Sequence, residues 1–151
     1  MYFHFAPMRL RADSIIEAGN FGRVLRATYG NNVVPSMLLR ELIFENIRLA
    51  AFPDLPSRLS AAFACPTLAD AERYRAANDV NRRQVLHSVE AVDAEAAMHI
   101  AGLSWLDGQQ DPYLPGVEAA ATRYWQADAG NVERGQEIIT ASAWRVLECL
   151  E

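Results

Sequence analysis

The sequence predicts a single α+β domain. Alternating or β-branched runs that suit strands sit at both ends of the chain, and helical stripes occupy the middle. No regular strand–helix–strand alternation argues for a doubly wound sheet. The 151 residues carry no repeat, low-complexity stretch or linker. Residues 1–151 are therefore expected to form one domain, long enough to bury a core without staples.

With 51% hydrophobic and 22% charged residues, the composition is ordinary for a globular protein. A net charge of −5 argues against a broad nucleic-acid-binding surface, which needs excess positive charge, but leaves room for a small basic pocket. Cys65 and Cys149 stand outside any CxxC or metal-ligand spacing and read as free thiols in a reducing compartment. No apolar run approaches a membrane span, and the N-terminus shows no basic region leading into an apolar core. No membrane partner and no signal peptide are expected. A cytoplasmic protein fits, as does one delivered to a target cell by a specialised secretion machine.

Residues 1–6 (MYFHFA) alternate and predict a first strand with Phe3 and Phe5 in the core and Tyr2 and His4 on the other face. His4 is then a surface or a cleft residue. Residues 8–30 have weak periodicity. Gly19-Asn20-Phe21-Gly22 and Gly30-Asn31-Asn32 read as turns. Arg9, Arg11, Arg23 and Arg26 are either a solvated face or a source of one guanidinium for the pyrophosphate of a dinucleotide.

Residues 36–50 predict a helix with Leu39, Leu42, Ile43, Ile47 and Ala50 inward and Glu41, Glu45 and Arg48 on the wet side, Glu45 and Arg48 pairing at i, i+3. Pro53 and Pro56 stop it and stiffen the bend that follows. Arg58 leaves that bend at the start of a short strand over residues 60–65, so rigid backbone aims its side chain. Thr67 caps the next helix, with Asp70 three residues on and Leu68, Ala71 and Tyr74 inward.

Residues 85–92 predict an interior strand in which His87 is a satisfied core or edge histidine, and residues 96–101 a further short strand. Residues 105–116 read as a loop, with Trp105 and Tyr113 covering a ligand or pinning the loop down. A helix over residues 117–126 follows, with Val117, Ala120, Ala121 and Tyr124 or Trp125 inward. Residues 135–139 and 143–150 complete the strands. There is no His/Cys/Asp cluster at metal spacing, so no metal site is expected. No Gly-x-Ser-x-Gly elbow is present, and neither cysteine has a histidine partner that the sequence identifies.

One run is less generic: Glu41, Glu45, Arg48, Phe52, Pro53, Pro56, Ser57, Arg58, Leu59, Phe63, Thr67, Leu68, Ala71, Glu72 and Tyr74. With Tyr124-Trp125, Glu137-Ile138-Ile139 and the terminal Val146-Leu147-Glu148, it resembles an uncharacterised bacterial family whose members are thought to share the ADP-ribosyltransferase-like fold. The resemblance implies a split sheet flanked by helices, with NAD as substrate in a cleft between two small sheets. It implies that Glu137, on a late strand, stabilises the ribosyl oxocarbenium. His4 and Arg58 would grip the dinucleotide and Ser57 would shape the pocket, with Arg9 and Gln136 completing the NAD-binding set. Ser57-Arg58-Leu59-Ser60 stands where related folds carry a serine-threonine-serine or tyrosine element, and no tyrosine occupies that place. The acceptor would be a protein, a nucleic acid, a small molecule or, in an NAD-hydrolysing toxin or effector, water. The alternatives are a non-catalytic nucleotide-binding module on the same fold and a protein-interaction module.

Overall fold

A computed structural model describes residues 1–27, 35–107 and 112–151. Seven strands and four helices follow the expected α+β pattern among them: β1 (Tyr2–Ala6), β2 (Ile15–Ile16), α1 (Asn20–Ala27), α2 (Pro35–Ala51), β3 (Ala62–Ala64), α3 (Leu68–Asn78), β4 (Val85–Ala91), β5 (Met98–Gly102), α4 (Tyr113–Trp125), β6 (Gln136–Thr140) and β7 (Trp144–Cys149). Short 3-10 turns cover Leu103–Leu106 and Val132–Arg134.

The strands form two antiparallel sheets, ordered β1-β4-β7-β2 and β3-β6-β5. A single bridge joins them, where Phe3 and Cys65 exchange both backbone hydrogen bonds at 3.0 and 2.7 Å. The expected interior strand is interior: β4 lies between β1 and β7, and β6 between β3 and β5.

Three apolar clusters follow from strand alternation. Ile138 of β6 faces Val89, Trp144 and Val146, joining the two sheets. Its neighbour Ile139 faces the helices, packing with Phe44 of α2 and Val117, Ala121, Tyr124 and Trp125 of α4. Cys65, Ala71 and Leu86 pack with Phe3, Phe5 and Tyr74 under α3. Both faces of β1 are thus covered, since Tyr2 packs at a tilt against Trp144, 5.2 Å between ring centroids.

Several local expectations need correction. Gly19-Asn20-Phe21-Gly22 is not an isolated turn: Gly19 has φ +84° and α1 starts at the next residue. Gly22 serves a close approach, because a Cβ there would meet the Leu59 carbonyl oxygen at 1.8 Å. In α2 the buried face is Glu41, Phe44 and Arg48, whereas Leu39, Leu42 and Ala50 are exposed. Leu68 is exposed too, while Ala71 is fully buried. Helix α4 begins four residues before the predicted start, since Pro115 falls in its first turn, where a missing N–H costs nothing. The Gly30-Asn31-Asn32 turn lies outside the described residues, as does the middle of the expected 105–116 loop.

The cap of α3 is as expected. Thr67 Oγ1 accepts from the Asp70 N–H at 3.1 Å. Asp70 also reaches forward, its Oδ1 accepting from the Gln136 N–H at 3.0 Å, which pins the start of β6 to the start of α3.

Candidate functional site

Where the two sheets part beyond the Phe3–Cys65 bridge, a cleft of about 430 Å³ opens. That volume falls in the ~300–1,000 Å³ range of small-molecule sites. His4, Arg58 and Glu137 all line it. The three come from β1, from the bend before β3 and from β6.

The bend that carries Arg58 is built by α2. Arg48 is buried and its Nη1 donates to the carbonyls of Pro53 and Leu55 at 3.1 and 3.0 Å. Its Nε and Nη2 fork onto Glu45 at 3.0 and 2.7 Å, and Glu45 also accepts from Ser57 Oγ at 2.8 Å. The expected Glu45–Arg48 pair is present, but it staples the double-proline bend to the helix rather than facing solvent. Ser57 belongs to that staple and is not among the residues lining the cleft, so it shapes the pocket only through the bend. Arg58 itself stands in a turn, with β3 starting at Ala62.

Arg58 is 4% exposed and saturated with partners. Its Nε donates to Glu41 Oε2 at 2.9 Å, and Nη1 donates to Tyr124 Oη at 2.8 Å and to Glu137 Oε1. The Phe63 and Tyr124 rings lie 5.2 and 5.1 Å from its guanidinium carbon. Glu41, placed by the sequence on the wet side of α2, is 1% exposed and sits between Arg58 and Arg40. Burial pushes its carboxyl up, but the Arg58 and Arg40 guanidiniums outweigh burial and hold it below its usual range. Burial works against the Arg58 charge as well. The Glu137 and Glu41 carboxylates reverse that, so the guanidinium is fixed in its charged form.

Tyr124 orients Glu137. Its hydroxyl accepts from Arg58 and donates to Glu137 Oε1 at 2.7 Å. Burial drives the phenol well above its usual range, so it remains a donor. Both contacts fall on Oε1, and Oε2 has no hydrogen-bond partner among the described residues. On the opposite wall, His4 Nδ1 lies 2.8 Å from the Phe63 carbonyl. A carbonyl only accepts, so Nδ1 carries the proton and Nε2 is an acceptor. Burial lowers the His4 pKa and favours this neutral form. Cys65 also lines the cleft, but burial and the Glu137 and Asp70 carboxylates push its thiol up to about 12, which removes it as a nucleophile.

Two further sequence candidates lie elsewhere. Arg9 is exposed and donates to the backbone carbonyl of Glu151. Gln136 precedes Glu137 on a strand and so projects from the opposite face. Neither lines the cleft, nor do Arg11, Arg23 or Arg26. Residues that the sequence does not offer as site candidates also line it: Tyr74 of α3, Arg40 of α2, and Asp107 with Arg134 at the rim. Helical spacing places the Tyr74 ring inward, which does not distinguish core packing from a cleft wall. His87 is satisfied as expected, accepting the Leu10 N–H at Nε2 (2.9 Å) with Nδ1 3.0 Å from the Val85 carbonyl. Cys65 and Cys149 are free.

Fold and site together define an α+β protein with two antiparallel sheets and a cleft, lined by buried ions, at the seam between them. The chain belongs to the family described as "Protein of unknown function (DUF2441)", whose family model matches residues 15–151. That span takes in Glu41, Arg58, Tyr124 and Glu137, with His4 just ahead of it. No curated protein matches the chain. No described helix is long and apolar enough to cross a membrane.

Proposed function

We propose that the chain is an NAD-dependent ADP-ribosyltransferase or NAD glycohydrolase of ADP-ribosyltransferase-like fold, acting as a bacterial toxin or effector. The observation that carries this reading is the convergence of His4, Arg58 and Glu137 on one cleft. Cleaving the nicotinamide–ribose bond sends its electron pair to nicotinamide and leaves positive charge on the sugar. A preorganised carboxylate offsets that charge in a site from which water is partly excluded. Arg58 and Tyr124 hold one oxygen of Glu137, which leaves Oε2 to meet the ribose. The acceptor Nε2 of His4 suits a ribose hydroxyl or the carboxamide N–H. The rings of Phe3, Phe63 and Tyr74 offer apolar faces for a flat heterocycle. The group that attacks the ribosyl cation is a protein, nucleic-acid or small-molecule acceptor, or water.

The test is nicotinamide release from NAD by wild type and Glu137→Gln. Glutamine keeps an oxygen for Arg58 and Tyr124 but loses the charge. A fall of about 10²–10³ in turnover is expected, the scale of losing one preorganised electrostatic group. Turnover that survives the substitution removes Glu137 from the mechanism.

A second reading is a nucleotide-binding module without turnover, and the Arg58–Glu137 ion pair itself favours it. The pair already neutralises the carboxylate that the chemistry would use. A melting temperature raised by NAD without nicotinamide release would select that reading, because a ligand that binds only the folded state stabilises it by mass action. No response to NAD of either kind would leave a protein-interaction module.

A further inference from the structure

Two guanidiniums from different elements converge on one dipeptide at the rim of the cleft. Arg40 of α2 donates through Nη1 to the Leu106 carbonyl at 2.7 Å. Arg134, at the end of the 3-10 turn before β6, forks through Nε and Nη2 onto both carboxylate oxygens of the adjacent Asp107. All four residues line the cleft that holds Arg58 and Glu137. The Arg40 side chain is 16% exposed, and its Nε is buried without a partner among the described residues. The Arg134 and Asp107 side chains are 33% and 41% exposed.

Planar guanidinium forks match the oxygens of a phosphate as well as those of a carboxylate. An ion pair as exposed as Arg134–Asp107 contributes little to stability, so opening it costs little. Arg58 is a different case. It is buried between Glu41 and Glu137, and releasing it would strand both carboxylates. Arg40 shares the Glu41 carboxylate through Nη2 at 2.8 Å and keeps it, so what it offers an outside anion is Nη1 and the unpartnered Nε, beside an Arg134 that opens at little cost.

We propose that Arg40 and Arg134 form a diphosphate-binding seat at the mouth of the cleft, with the Asp107 carboxylate as an internal occupant that a pyrophosphate-bearing ligand displaces. This deepens the NAD reading and rests on it for the identity of the ligand. It moves the pyrophosphate away from the exposed N-terminal arginines to the rim of the cleft that His4 also lines. Asp107 then acts as a selectivity element, since an uncharged ligand cannot replace its carboxylate on Arg134.

Inorganic pyrophosphate is the probe, measured by titration calorimetry at fixed ionic strength on wild type, Arg134→Ala, Asp107→Asn, Arg9→Ala and Glu118→Gln. The last makes the same charge change as Asp107→Asn at an exposed position on α4. Arg134→Ala is expected to weaken binding about tenfold or more, the scale of one charge-assisted contact. Asp107→Asn is expected to tighten it several-fold, with Arg9→Ala and Glu118→Gln close to wild type. Equal affinity for wild type and Arg134→Ala would overturn the proposal. So would tightening by Glu118→Gln as large as that by Asp107→Asn. The same proteins assayed for nicotinamide release separate the two claims. The pyrophosphate pattern without turnover keeps the seat and removes the enzyme, and turnover without the pattern does the reverse.

Discussion

Replacing Arg58 by methionine takes one positive charge from between two buried carboxylates. Glu41 and Glu137 are 1% and 8% exposed. Methionine has similar length, and its sulfur suits the Phe63 and Tyr124 rings that now flank the guanidinium, so the change leaves no large hole. What is lost is electrostatic. Removing one partner of a buried ion pair costs about 3–5 kcal/mol. Glu41 keeps Arg40 and Glu137 keeps the Tyr124 hydroxyl, which favours the low end, about 3 kcal/mol. For a domain of this length that lowers the melting temperature by about 6–12 °C. The assay is urea unfolding at about pH 7 and about pH 4.5. In wild type the Glu41 carboxyl is held below its usual range, so its stabilisation is complete above the unfolded value near ~4.3 and is lost only as pH falls through the lower folded value. In the variant the main cation is gone and burial pushes the same carboxyl up, so mild acid relieves the variant before it harms wild type. The stability gap should shrink between the two pH values. A gap below about 1 kcal/mol at neutral pH, or one unchanged by acid, would refute the reasoning.

The remaining predictions concern single contacts around the cleft. Tyr124→Phe removes a donor to Glu137 and an acceptor for Arg58, which still hold each other; a loss of about 1–2 kcal/mol in urea unfolding is expected, and no loss would mean that the hydroxyl does not bridge them. Burial lowers His4, His87 and His99 in the folded state, so the unfolded chain takes up protons first, from about pH 6.5 downward. Stability should therefore fall as pH drops through that region, and His4→Gln should flatten the slope; an unchanged slope would exclude His4 as a source. Gly22→Ala would gain up to about 1 kcal/mol from helix propensity alone. The approach to the Leu59 carbonyl should reverse that into a loss of more than about 3 kcal/mol, read as a drop in melting temperature, and a neutral result would show that α1 can shift away.

The sequence makes elements legible where local physics sets them. The double proline ends α2, Thr67 and Asp70 start α3, and alternation marks β1 and β4, because each signal is complete within a few residues. It conceals what depends on distant partners. Glu41 has the spacing of a solvated glutamate and becomes buried only because Arg58, seventeen residues later, meets it. Once Glu41 and Arg48 face inward, Leu39 and Leu42 must turn outward. Gly22 looks like turn chemistry, yet it marks where α1 presses on the bend that carries Arg58. The family resemblance is what makes His4 and Glu137 site candidates, whereas the double-proline bend already points to Arg58. That Tyr124, Arg40, Asp107 and Arg134 stand around them is not readable, since they come from four separate segments with no shared spacing: α2, the residue after the 103–106 turn, α4 and the turn before β6.

The cleft exists because a strand ladder stops, and the groups that end the ladder are the groups that line the cleft. In a continuing antiparallel pair, the next backbone bond after Phe3–Cys65 would run from Phe5 to the Phe63 carbonyl. The His4 imidazole takes that carbonyl instead, so the sheets part without leaving an acceptor unpaired. Across the gap, Glu137 comes from the middle strand of the second sheet, and Arg58 and Tyr124 satisfy one of its oxygens from the bend and from α4. Each polar group at the seam therefore has a folding role whether or not it touches a ligand. Loss of activity in an Arg58 or His4 variant would not separate chemistry from folding. Glu137→Gln comes nearer, because the amide keeps an oxygen for both neighbours and Arg58 keeps Glu41 as a counter-ion; urea unfolding run beside the nicotinamide assay reads what the lost charge costs the fold.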